Sequence, residues 1–135
     1  MTAPEPPGEG AVADEPGLVV ASAPRSVALV RRYALDACAA LGWDDSADTV
    51  ALLVSEMATN AVLHAYGSEI RVRVLDRGLR LRVEVHDGSP ALPVPRNAPA
   101  RDEDGRGLAL VEALAVGWGA DLAPGGKTVW FEVGI

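Results

Sequence analysis

IRVRVLDRGLRLRVEVHD, residues 70–87, decides the reading of this chain. Ile70, Val72 and Val74 alternate with Arg71, Arg73 and Leu75, and after the turn signal Asp76-Arg77-Gly78 the residues Leu79, Leu81, Val83 and Val85 alternate with Arg80, Arg82, Glu84 and His86. A period of two belongs to strands. The stretch therefore predicts a β-hairpin with one apolar face and one mostly charged face.

An apolar sheet face needs cover, and the upstream sequence supplies it. Val27, Val30, Ala34, Cys38 and Leu41 recur at three- and four-residue spacing up to Gly42, which predicts an amphipathic helix. Pro24 suits a helix's first turn, and Ser22 is the candidate cap. Asp44, Asp45 and Ser46 offer caps for a second helix, in which Val50, Val54, Met57 and Ala61 repeat and which ends near Gly67. Leu18 to Ala21 reads as a short strand before these helices. A third helix is expected from about Arg106 to Ala115. Trp118 to Leu122 and Lys127 to Val133 read as a closing hairpin around Pro124, Gly125 and Gly126. The order predicts an α+β fold: a two-layer sandwich with a mixed, mainly antiparallel sheet and helices on one face.

The 135 residues suit one domain. Met1 to Pro16, rich in Pro, Gly, Ala and Glu, predicts a mobile tail, with the folded domain over residues 17–135. With 12 Lys and Arg against 19 Asp and Glu, the net charge of −7 argues against direct nucleic-acid binding or docking on anionic lipid. The single cysteine, Cys38, excludes an internal disulfide, and a count of only two histidines, His64 and His86, argues against a histidine metal centre. No apolar run is long enough to span a bilayer, and the N-terminus lacks the pattern of a secretory signal, so a cytoplasmic location is expected.

Three features bear on chemistry. Glu56, Asn60 and His64 stand four residues apart and share one helix flank, beside the apolar stripe. That flank is either solvated or lines a cleft, and a mid-helix Asn invites a reason beyond propensity. Asp87 continues the inward parity of Leu79, Leu81, Val83 and Val85. It is either a buried carboxylate needing partners or a turn cap at a fraying strand end. Gly105-Arg106-Gly107-Leu108 precedes the third helix, where glycines and free amides suit an anion, although most such pairs are simple turns. Residues 88 to 104, Pro-rich and then charged, form a long loop of the kind that is often functional.

The order of these motifs resembles the GHKL ATPase superfamily, the Bergerat fold. Ser55-Glu56-Met57-Ala58-Thr59-Asn60-Ala61-Val62-Leu63-His64 is similar to its N-box. Val85-His86-Asp87-Gly88-Ser89-Pro90 is similar to its G1 box, with Ser89 where many members have a second glycine. Gly105-Arg106-Gly107-Leu108-Ala109-Leu110-Val111 resembles its G2 box, and Gly126-Lys127-Thr128-Val129-Trp130 its last adenine-site element. Within the superfamily the chain looks most like the bacterial anti-sigma-factor serine/threonine kinases.

The resemblance implies ATP and Mg²⁺ as cofactors. Asp87 would accept a hydrogen bond from the adenine N6 amine, and Thr128 would complete base recognition through water. Asn60 would ligate Mg²⁺, and Glu56 would be the general base acting on a serine or threonine hydroxyl. Ser89, Gly105, Arg106, Gly107 and Leu108 would surround the nucleotide, with residues 88 to 104 as its lid. The implied partners are a sigma factor, an anti-anti-sigma antagonist that is phosphorylated, and a second copy in a homodimer. The alternative is a nucleotide-responsive binding module without significant kinase activity.

Overall fold

The computed structural model describes residues 17–89 and 103–135. Two strands, β2 (Glu69–Asp76) and β3 (Arg80–Asp87), form the expected hairpin. Their register sets Val72 against Val85 and Val74 against Val83. On the far side of β3, β5 (Gly126–Gly134) pairs Val129 with Val85 and Phe131 with Val83. The inward parity thus produces cross-strand rows, Val72–Val85–Val129 and Val74–Val83–Phe131, all buried. Rows of this kind are the unit of sheet stabilisation, each such side chain contributing about 1.5–3 kcal/mol by leaving water.

β1 (Leu18–Ala21) and β4 (Gly117–Ala123) complete a five-stranded sheet in the order β1-β2-β3-β5-β4. All four pairings are antiparallel. One face carries the helices α1 (Ser26–Leu41), α2 (Ala47–Ala65) and α3 (Glu103–Leu114), which gives the expected two-layer α+β sandwich. α1 contributes Val30, Ala34 and Cys38 to the core, and α2 contributes Val50, Leu53, Val54, Met57 and Ala61. Gly42 ends α1 in the left-handed conformation, φ 80°, with its N–H returned to the Cys38 carbonyl.

The expected caps are not made. α1 starts at Ser26 without a side-chain cap, and buried Ser22 instead donates its Oγ to the Ala61 carbonyl of α2 at 3.4 Å. Asp44–Ser46 form a 3₁₀ turn leading into α2, and none of the three caps it through a side chain. Leu79 is 70% exposed, because the turn closed by Gly78 N–H to Asp76 Oδ1 (3.0 Å) holds it outside β3. The expectation for residues 1–16 lies outside the described residues.

Among the described residues, no helix covers the outer sheet face. Arg82 stacks over Trp130 at 4.0 Å and pairs with Glu84 and Glu132, while Arg73 pairs with Glu84 and Arg80 with Glu132. Opposite charges on neighbouring strands satisfy one another where water remains accessible.

Candidate functional site

β3 runs without fraying to Asp87, whose carboxyl group is almost fully buried. Asp87 is a buried carboxylate that also caps the turn, without the fraying that the second reading expected. Oδ1 accepts the Ser89 backbone N–H at 2.8 Å, which caps the turn after the strand. The carboxylate also has a counter-charge: Lys127, directly across on β5, places Nζ 3.0 Å from each oxygen. Both side chains are 2% exposed. A buried ion pair gains little over an apolar pair, but losing either member leaves a charge stranded.

α2 lies over this strand end. Met57, Asn60, Ala61 and His64 from the helix, with Val85, Asp87, Lys127 and Val129 from the sheet, enclose a crevice of about 10 Å³. That is room for one water at most. The row on α2 is therefore not a solvated flank throughout: Asn60 is buried and lines the crevice, and Glu56, one turn earlier, is half-buried. The helix is tied down at this turn. Ser55 Oγ donates to the Ala51 carbonyl (2.6 Å) and accepts from Arg31 Nε of α1 (3.0 Å), and Thr59 Oγ1 donates to the Ser55 carbonyl (2.8 Å).

Two expectations about position require correction. Thr128 does not join Asp87. In the β3–β5 register Thr128 opposes His86, and its Oγ1 lies 3.1 Å from His86 Nδ1 on the outer face. Strand parity is the reason: Asp87 and Lys127 point toward the helices, so their neighbours point away. Gly105-Arg106-Gly107 is likewise not a turn before a helix starting near Arg106, because α3 begins at Glu103 and contains all three. Of the expected lid, residues 90–102 lie outside the described residues.

Lys127 is the site residue that the sequence reading missed. The signal was present, since Lys127, Val129, Phe131 and Val133 share one parity and all four are buried.

Among the described residues, no cluster of three or more His, Cys, Asp and Glu is placed to hold a metal. Mg²⁺ asks less of a protein, taking one or two oxygen donors and completing its shell with phosphate and water. The buried Asn60 amide, with Glu56 one turn away, fits that limited role. Outside the crevice, the outer face carries a groove of about 550 Å³ whose lining includes Arg71, Arg73, Glu84, His86 and Thr128. Among the described residues, no helix is long and apolar enough to cross a membrane.

The family model described as Histidine kinase-like ATPase domain matches residues 20–133, from within β1 to within β5, so the chain belongs to that family. No curated protein was found to match the chain.

Proposed function

From the chain's membership of the histidine kinase-like ATPase domain family, within the GHKL superfamily, we propose that this protein is an ATP-dependent protein serine/threonine kinase that acts as an anti-sigma factor. It would phosphorylate an anti-anti-sigma antagonist and so regulate transcription through a sigma factor. The observation that carries the reading is the convergence of Asp87 and Asn60 on one crevice between α2 and the sheet. The specific kinase assignment is supported by the resemblance of residues 55–64 to the anti-sigma-factor kinases.

The residues divide the work. Asp87, fixed by Ser89 N–H and Lys127, presents an acceptor to the adenine amine, and Met57, Ala61, Val85 and Val129 supply apolar walls. The present crevice is narrower than a purine, so entry of the base requires it to widen. Asn60 offers its amide oxygen to Mg²⁺, which when bound neutralises phosphate charge. The first amides of α3, Gly105 among them, have no intrahelical acceptor and suit phosphate oxygens. Glu56 accepts the proton of the incoming serine or threonine hydroxyl. Positioning and electrostatics carry most of the rate in such transfers.

The partners are a sigma factor and its antagonist, the working form is a homodimer, and the location is the cytoplasm. The test is transfer of labelled phosphate from ATP to candidate antagonist domains of the same host, beside a pull-down with and without ATP. Transfer to serine or threonine, with sigma or antagonist peptides recovered, supports the proposal. ATP binding without transfer to any antagonist assigns the protein instead as a nucleotide-gated binding module.

A further inference from the structure

The charge facing Asp87 adds a selecting element to the nucleotide site. Lys127 Nζ lies 3.0 Å from both carboxylate oxygens, and both side chains are 2% exposed. The hydrogen-bonding capacity of the pair can be counted. A carboxylate oxygen accepts about two bonds. Among the described residues, Oδ1 accepts from the Ser89 N–H and Lys127, while Oδ2 has Lys127 at ion-pair distance, so acceptor capacity remains on Oδ2. An ammonium has about three donors. One makes the hydrogen bond to Oδ1, with Oδ2 also at ion-pair distance, so the carboxylate does not exhaust them. The crevice is thus offered one acceptor and one charged donor, side by side, on the wall that Asp87 and Lys127 form with Val85 and Val129.

We infer that Lys127 is a base-recognition residue that donates directly to the ring N1 of a 6-aminopurine while Asp87 accepts from its exocyclic amine. The inference rests on the nucleotide-binding reading above. An adenine edge carries one donor N–H and one acceptor nitrogen next to each other, which matches the count. A guanine edge reverses the order, with a carbonyl where adenine has its amine and an N–H where adenine has N1, so Asp87 would face an acceptor and Lys127 a donor. A neutral hydroxyl or a water at this place would accept as well as donate. An ammonium only donates, so the base must supply an acceptor at N1.

Calorimetric titration of the whole chain with Mg·ATP, Mg·GTP and the Mg complex of 1-deaza-ATP, in which C–H replaces N1, tests this. Wild type should bind ATP at least about 10-fold more tightly than 1-deaza-ATP, the scale of a hydrogen bond to a charged group. Lys127→Met should bind the two equally. Lys127→Gln, which keeps an amide donor toward Asp87, serves if the Met variant does not fold by circular dichroism, and its discrimination should lie between those of wild type and Met. Equal binding of ATP and 1-deaza-ATP by wild type, or tighter binding of GTP, would overturn the role of Lys127 and leave nucleotide binding standing. No binding of any of the three would overturn both.

Discussion

Asp87→Asn turns an acceptor oxygen into an amine that faces both the adenine amine and the Lys127 ammonium. Losing one charge-assisted hydrogen bond and leaving buried groups mismatched should weaken ATP binding by roughly 2–4 kcal/mol. Calorimetry on the two proteins measures this, and unchanged affinity would remove Asp87 from base recognition. The pair also has a stability signature. Lys127→Met strands a buried carboxylate and should destabilise the fold by about 3–5 kcal/mol in urea titration. Adding Asp87→Leu should recover most of that loss, because the charge that had no partner is gone. Cys38 is a residue of another kind. Burial, with a smaller contribution from the Asp44 charge, pushes its thiol up from 9.0 to about 11. The folded state then holds this proton more tightly than the unfolded state does. Its contribution to stability is complete below the unfolded value near 9.0 and falls away as pH rises toward about 11. Denaturation midpoints between those limits should fall more steeply for wild type than for Cys38→Ala.

On α2, Glu56 and Asn60 stand one turn apart, yet they should fail differently. Asn60→Ala should weaken Mg²⁺-dependent ATP binding and also block transfer. Glu56→Gln should leave ATP affinity nearly unchanged while transfer falls by about 10²–10⁴-fold. Calorimetry and a labelled-phosphate assay on the same preparations separate the two, and wild-type turnover by Glu56→Gln would take Glu56 out of the mechanism. On β5 the critical point is Gly126. A Cβ there would overlap the Asp87 carbonyl and crowd Gly88. Gly126→Ala should force the β3–β5 end apart, at a cost of about 1–3 kcal/mol in thermal unfolding, and weaken ATP binding with it. How much of these elements could be read in advance follows from what sets them. The hairpin and both long helices were legible because burial imposes periods of two and 3.6 on their residues. The caps of α1 and α2 were not, because Ser22 finds a better partner in the Ala61 carbonyl across the fold, a contact local sequence does not encode. Asn60 and Asp87, singled out by mid-helix placement, parity and motif order, line one crevice. Lys127 was missed and Thr128 misplaced for one reason: a motif fixes an order of residues, whereas the face each one reaches depends on strand register.

At the scale of the molecule, binding and folding are linked. A ligand held by the folded state alone adds stability by mass action, about 2.7 kcal/mol at one hundred times its Kd. Mg·ATP at that concentration should raise the unfolding midpoint by about 10 °C for a domain of this size. The Asp87→Asn protein should show a much smaller shift at the same concentration. The layer arrangement explains why the site can widen without unmaking the fold. The crevice sits at one end of the sandwich, between α2 and the last residues of β3 and the first of β5, while the rows around Val83 and Phe131 hold the layers together further along.

The place of β1 has a consequence for how the chain is made. It lies at the sheet's edge against β2, Leu18 opposite Val72, and both α1 and α2 come between the two in sequence. As the polypeptide leaves the ribosome, β1 therefore emerges well before its neighbour β2. At roughly 5–20 residues per second the delay lasts some seconds. During that interval α1 and α2 can form from local contacts, and their pairing shortens the loop that must later be closed. The strand that is synthesised first among these elements is then among the last to be secured. Its unpaired amides and carbonyls are the part of the nascent chain most open to a wrong neighbour.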